Sequence, residues 1–116
     1  MYMKRGEMYL VDFNLGVGSE QSGIRPAVII QNNVGNRHSR TVIVAIITSQ
    51  IQNKPNLPTH CFIPAQQGLD RDSLILLEQI RTIDKSRLRD YIGTLDYETM
   101  SEIDTALAIS VGIGDF

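Results

Sequence analysis

Eight residues, Thr41-Val42-Ile43-Val44-Ala45-Ile46-Ile47-Thr48, constrain the fold more than any other stretch of the chain. Side chains alternate across a β-strand, so a segment that is apolar at odd and even positions alike needs cover on both faces. Its β-branched residues favour extended backbone, where their stiff side chains pack well on a pleated surface. The chain is therefore expected to build a sheet with this strand near its centre. Thr48 breaks the apolar pattern where the strand emerges toward a loop.

Other segments supply neighbours for that strand. Met8–Phe13 and Ala27–Gln31 read as strands, and Asn32–Arg40 holds the Asn, Gly and Ser of a turn. Gln50–Asn56 is polar and interrupted by Pro55, hence a loop. Pro58–Ile63 is a short strand, and a proline on each side suits the sheet periphery. Gln66–Asp72 is a turn. Ser73–Ile83 reads as a long strand in which Gln79 breaks strict alternation. Asp84 begins one helical turn ending at Leu88, and Tyr91–Leu95 returns to strand. Asp96 caps a final helix with Glu98 in its first turn, and Gly112 is its expected stop. Met100, Ile103, Leu107 and Val111 recur at helical steps and define its buried face. About six short strands and one C-terminal helix point to a small, strongly curved sheet or barrel, with residues 1–116 forming one domain.

Composition removes several function classes. A chain of 116 residues buries a real core without disulfide staples, and the single cysteine, Cys61, excludes an intramolecular disulfide framework. Flanked by Phe62 and Ile63, Cys61 reads as a buried small hydrophobe, in keeping with a reducing cytoplasm. No apolar run approaches the ~20 residues that span a bilayer, and no signal-peptide core is present. A net charge of −2 argues against non-specific nucleic-acid binding, yet leaves room for a local basic site. Neither a phosphate-binding GxxxxGK[ST] loop nor GxGxxG nor GxSxG occurs. His38 and His60 lie in separate elements with no metal-ligand spacing, so neither a metal nor another cofactor is expected.

What remains is a set of polar residues at strand ends. The glycine-punctuated stretch Gly16–Pro26 links two strands and ends in Arg25, whose backbone is held extended by the proline after it. From this stretch alone, Arg25 reads either as a solvated surface charge or as a cation delivered onto a rigid strand. Ser19, Glu20 and Gln21 belong to the same loop. Thr48, Ser49 and Gln50 follow the central strand, and Glu78 and Gln79 interrupt the long one. In an antiparallel barrel such ends converge on one rim, where hydroxyls, carboxamides and a guanidinium suit phosphates and base edges.

Five ordered blocks then carry a family resemblance. They are KRGEMYLVDF at Lys4–Phe13, VGSEQSGIRPAVIIQN at Val17–Asn32, TVIVAIIT at Thr41–Thr48, LPTH at Leu57–His60 and DSLILLEQIRTIDKSRL at Asp72–Leu88. Together the blocks run over nearly the whole chain, which resembles the MazF/PemK family of toxin endoribonucleases, and among them the MazF-type toxins of Gram-positive bacteria. The resemblance implies a mainly β fold: an SH3-like small barrel of six to seven strands with a C-terminal helix, assembled as a homodimer. It implies cytoplasmic, metal-independent, sequence-specific cleavage of single-stranded RNA to 2′,3′-cyclic phosphate and 5′-hydroxyl ends. Arg25 and Thr48 match the catalytic pair, and Ser19, Glu20, Gln21, Glu78 and Gln79 match positions lining the RNA groove; Ser49, next to Thr48 at the strand end, joins the expected RNA-binding set. The implied partner is a MazE-like antitoxin whose acidic tail blocks the groove. Two rival readings are a CcdB-like gyrase poison on the same barrel and a binding module without chemistry.

Overall fold

The structure is a computed structural model that describes residues 2–13, 23–53 and 56–114. Six antiparallel strands form one sheet: β1 (Glu7–Asp12), β2 (Ile24–Ile29), β3 (Thr41–Thr48), β4 (His60–Ile63), β5 (Ser73–Asp84) and β6 (Leu88–Thr94). Their spatial order is β4-β5-β3-β2-β1-β6, which places β3 inside the sheet and β4 at an edge, as the two segments predict. Helices α1 (Asn33–His38) and α2 (Tyr97–Val111) complete the architecture, with α2 lying against β4 and β5.

The two-faced apolar pattern of β3 divides the core in two. Val42, Val44 and Ile46 pack with Val11, Phe13, Ala27, Ile29, Leu76 and Ile83. Ala45 and Ile47 turn the other way, onto Met8, Val28, Ile63, Ile75 and Leu77, where Ile103 and Ala106 of α2 close the layer. Burying a Leu, Ile or Val side chain contributes roughly 1.5–3 kcal/mol, so each face of β3 carries several such contributions. Cys61 is buried with the second group. Burial, aided by the nearby Glu102 carboxylate, pushes its thiol pKa up to about 11, so it behaves as a packing residue.

The sheet bends at β5. Ala45 pairs with Ile80 and the next residue, Ile46, pairs with Leu76, so the pairing register skips Leu77, Glu78 and Gln79. Such a bulge bends the strand and sharpens its twist. The irregularity that Gln79 introduces into the sequence pattern marks this place. Among the described residues β4 and β6 do not pair, so hydrogen bonds leave the expected barrel open. The gap is narrowed by the turn between β4 and β5. Gly68 adopts φ +87°, and a Cβ there would lie 2.1 Å from the Ile92 carbonyl oxygen on β6. Only glycine permits that approach without displacing backbone.

Two local expectations are corrected. Asn32–Arg40 is a capped helical turn instead of an irregular turn. Asn32 Oδ1 accepts from the Gly35 amide at 2.8 Å. The buried Asn36 amide donates to Gln31 O at 2.9 Å and accepts from Gln31 Nε2 at 3.2 Å. This six-residue helix is held by amides and lacks the apolar period by which helices are read. On α2, Val111 is 52% exposed and Ala106 is buried, so the covered face ends before the C-terminal turn. Asp96 caps the helix at the Thr99 amide and Gly112, at φ +77°, ends it, as expected.

Candidate active site

Arg25 and Thr48 meet across neighbouring strands. β2 and β3 pair with Ala27 opposite Ile46, and continuing that register sets Arg25 beside Thr48. Arg25 is half-buried and pairs with Val11 on its other side, while Thr48 pairs with Leu74 of β5. Both line a cleft of about 350 Å³, together with Ser49 and Leu10. Thr48 is only 5% exposed, and its Oγ1 accepts from the Gln50 amide at 3.1 Å. That bond restrains the side chain and leaves the hydroxyl hydrogen available for donation.

The β4–β5 turn adds groups that the sequence reading omitted. Asp70 and Arg71 line the same cleft, and Ser73 Oγ donates to the Arg71 carbonyl at 3.0 Å. Among the described residues neither arginine forms an ion pair, so the lining of the cleft carries two uncommitted guanidiniums and one carboxylate. The cleft is therefore locally cationic although the whole chain is acidic. Nothing in the sequence spacing signals Arg71, which sits in a polar turn and reads as a solvated charge. Only the topology carries that turn to the end of β3. A second cavity of about 380 Å³, lined among others by Tyr2, Lys4, Val34, Arg37 and His38, is cationic too, and what sets the first apart is its arginine and threonine on neighbouring strands. Its Arg37 already stacks on Tyr2, 5.0 Å from the ring centroid.

Glu78 and Gln79 lie at the β5 bulge and are not among the residues lining the Arg25 cleft. Glu78 accepts from Thr59 Oγ1 at 2.8 Å and lies 2.9 Å from His60 Nε2. The His60 side chain is 4% exposed, and its Nδ1 is buried with no partner among the described residues. This accounts for His60 as a packed residue tying β4 to β5. Ser19, Glu20 and Gln21 lie outside the described residues. Nor do any three His, Cys, Asp or Glu side chains of the described residues converge as metal ligands.

Burial draws the Glu78 carboxyl pKa upward. Hydrogen bonds from His60, its own backbone and Thr59 outweigh burial and hold the pKa below the usual value. A carboxylate with a lowered folded-state pKa stabilises the fold above its unfolded pKa, near 4.3, and that stability is lost as pH falls through the folded value. Melting temperatures measured from pH 7 to pH 3 are expected to fall more steeply for the natural protein than for Glu78→Gln. Parallel curves would show that the His60–Glu78 tie contributes nothing.

Residues 4–111 match the family described as PemK-like, MazF-like toxin of type II toxin–antitoxin system. The chain is similar to endoribonuclease EndoA of Bacillus subtilis (strain 168), with 57% identity over 117 residues spanning the full length of both. It is also similar to an endoribonuclease from Mycobacterial species solved in complex with its cognate antitoxin. There the TM-score is 0.81 at 28% identity, covering 98% of this chain and 99% of that one. MazF from Deinococcus radiodurans shares the fold, with a TM-score of 0.79 at 21% identity over 97% of this chain and 98% of that one.

Proposed function

The chain belongs to the PemK-like, MazF-like toxin family of type II toxin–antitoxin systems, and from that premise we propose that it cuts single-stranded RNA at the Arg25–Thr48 cleft. The observation that carries this reading is the cleft itself: a half-buried guanidinium and an ordered hydroxyl side by side on neighbouring strands.

The chemistry follows from what these groups can do. The ribose 2′-OH attacks the adjacent phosphorus, losing its proton. The O5′ leaves and gains one, so the products are a 2′,3′-cyclic phosphate and a 5′-hydroxyl. Between them lies a phosphorane with extra negative charge on its non-bridging oxygens. A guanidinium offers two parallel N–H donors that match two such oxygens. Arg25 holds this charge, and Thr48 donates a further hydrogen bond to a non-bridging oxygen. With a pKa above ~12, arginine is a poor base at neutral pH, so Arg25 acts as clamp and proton donor and not as the base. Neither role needs a metal.

Ser49, at the mouth of the cleft, and Glu78 and Gln79, further along β5, contribute to RNA binding in this reading. Ser19, Glu20 and Gln21 join them by the family resemblance alone. The antitoxin partner is of the MazE type, supported by relatives solved with MazE or with a cognate antitoxin. An acidic tail suits a cleft that is cationic within an otherwise acidic chain. A homodimer joins two clefts into one longer groove. The site is cytoplasmic, where messenger RNA is reached. The paired groups of the cleft favour cleavage over gyrase poisoning or plain binding, which need no such pair.

Incubating the protein with a long single-stranded RNA in excess EDTA tests this reading. Cleavage at a few defined positions, yielding fragments with 5′-hydroxyl ends, is expected. Intact RNA in EDTA, or cutting that appears only when a divalent ion is restored, would refute it.

A further inference from the structure

Phe62 is 54% exposed on the edge strand β4, between the inward-facing Cys61 and Ile63. Alternation predicts a polar residue there, and an exposed aromatic on an edge strand is a liability for self-association. Its position in the sheet explains its presence. Thr48 pairs with Leu74, and Leu74 pairs with Phe62. Directly opposed residues of antiparallel strands project to the same face. Arg25, Thr48, Leu74 and Phe62 therefore form one row across four strands, with a span of roughly 15 Å at ~4.8 Å per strand.

The surface along this row is continuous. Phe62 lines a cavity of about 840 Å³, with Gln50 and Gln52, which adjoins the Arg25 cleft. Ser49, Asp70 and Arg71 line both. A chain gripped at its phosphate by Arg25 would pass Arg71, whose guanidinium is uncommitted among the described residues, and reach the Phe62 ring. In the Phe62 cavity Arg71 is offset by Asp70 and Asp72, so the ring carries the contact: an aromatic face in a wet groove suits the flat face of an unpaired base, and such stacking is largely indifferent to base identity.

We propose that Phe62 is a base-stacking platform for single-stranded RNA, one step along the groove from the Arg25–Thr48 cleft. The proposal rests on the ribonuclease reading above. Phe62 binds substrate without touching the reacting atoms, so it sets how tightly RNA is held and not how fast the bound RNA is cut.

Single-turnover cleavage of one long RNA, with protein in excess, separates these quantities for the natural protein, Phe62→Ala, Phe62→Leu and Phe62→Trp. Phe62→Ala and Phe62→Leu are expected to raise the half-saturating protein concentration by roughly five- to a hundredfold, the range of one base–aromatic stack. The rate at saturation stays unchanged, and Phe62→Trp restores half-saturation because it keeps a ring. Half-saturation unchanged in Phe62→Ala would overturn the proposal. So would Phe62→Leu matching the natural protein, which would mean that apolar cover by a second copy or an antitoxin is what the site needs. If the natural protein cuts no RNA, the ribonuclease reading fails and takes this proposal with it. If it cuts and the Phe62 variants bind RNA equally well, the proposal alone fails.

Discussion

Arg25→Ala is expected to lose RNA cleavage by roughly two to three orders of magnitude, the usual cost of removing one donor to a developing oxyanion. The fold should not follow. The Arg25 backbone pairs with Val11 regardless of its side chain, and its guanidinium forms no ion pair with a described residue. Truncating a half-buried cation without partners typically changes stability within about 0.5 kcal/mol. Circular dichroism and melting curves are therefore expected to match those of the natural protein. The kinetic signature is more telling than the size of the loss. If Arg25 acts mainly on the phosphorane, kcat and kcat/KM fall together, because the lost interaction exists chiefly in the transition state. A rise in KM alone, with kcat intact, would reassign Arg25 to ground-state binding of the RNA backbone. A folded Arg25→Ala that cuts at the natural rate would remove it from the site altogether.

The parts of this fold that were legible in the sequence were those where burial imposes a period. TVIVAIIT is apolar at every step from Val42 to Ile47, and the structure buries that run between two apolar clusters within the sheet. Asp96 and Gly112 bracket α2 because a cap and a left-handed stop are chemical requirements of helix ends. Features held by polar bonds escaped. The helix α1 rests on Asn32, Asn36 and Gln31, and side-chain amides leave no periodic trace. The bulge of β5 is half visible, since Gln79 disturbs the alternation without revealing that the pairing register with β3 skips three residues.

The candidate site divides along the same line. Arg25 drew notice through the proline after it, and Thr48 through its place at the end of an apolar run. That the two are neighbours depends on strand order, which neither residue encodes locally. The family resemblance pairs them without any geometry. Arg71 shows the limit most clearly. It lies 46 positions after Arg25, in a turn that reads as solvent-facing, yet both line one cleft. In the sequence Phe62 is only a neighbour of Cys61, and its exposure gains meaning from the row that runs through Leu74 to Thr48.

Of all the results expected here, the largest belongs to the substrate. In the proposed reaction the ribose 2′-OH is the nucleophile, so replacing that hydroxyl by hydrogen at the one nucleotide 5′ to the cut removes the attacking atom. The backbone phosphate that Arg25 is proposed to hold stays in place, as do the bases. Binding should therefore persist while cleavage at that linkage falls to the background of uncatalysed breakage. Deoxy substitution one nucleotide further away, on either side, should leave cutting almost unchanged, which separates loss of the nucleophile from loss of a binding contact to a 2′-OH. The decisive measurement compares these oligonucleotides with the all-ribose strand under identical conditions in EDTA. Abolished cleavage in the first alone is the predicted result. Cleavage that continues at the deoxy linkage, through attack by water, would contradict the account.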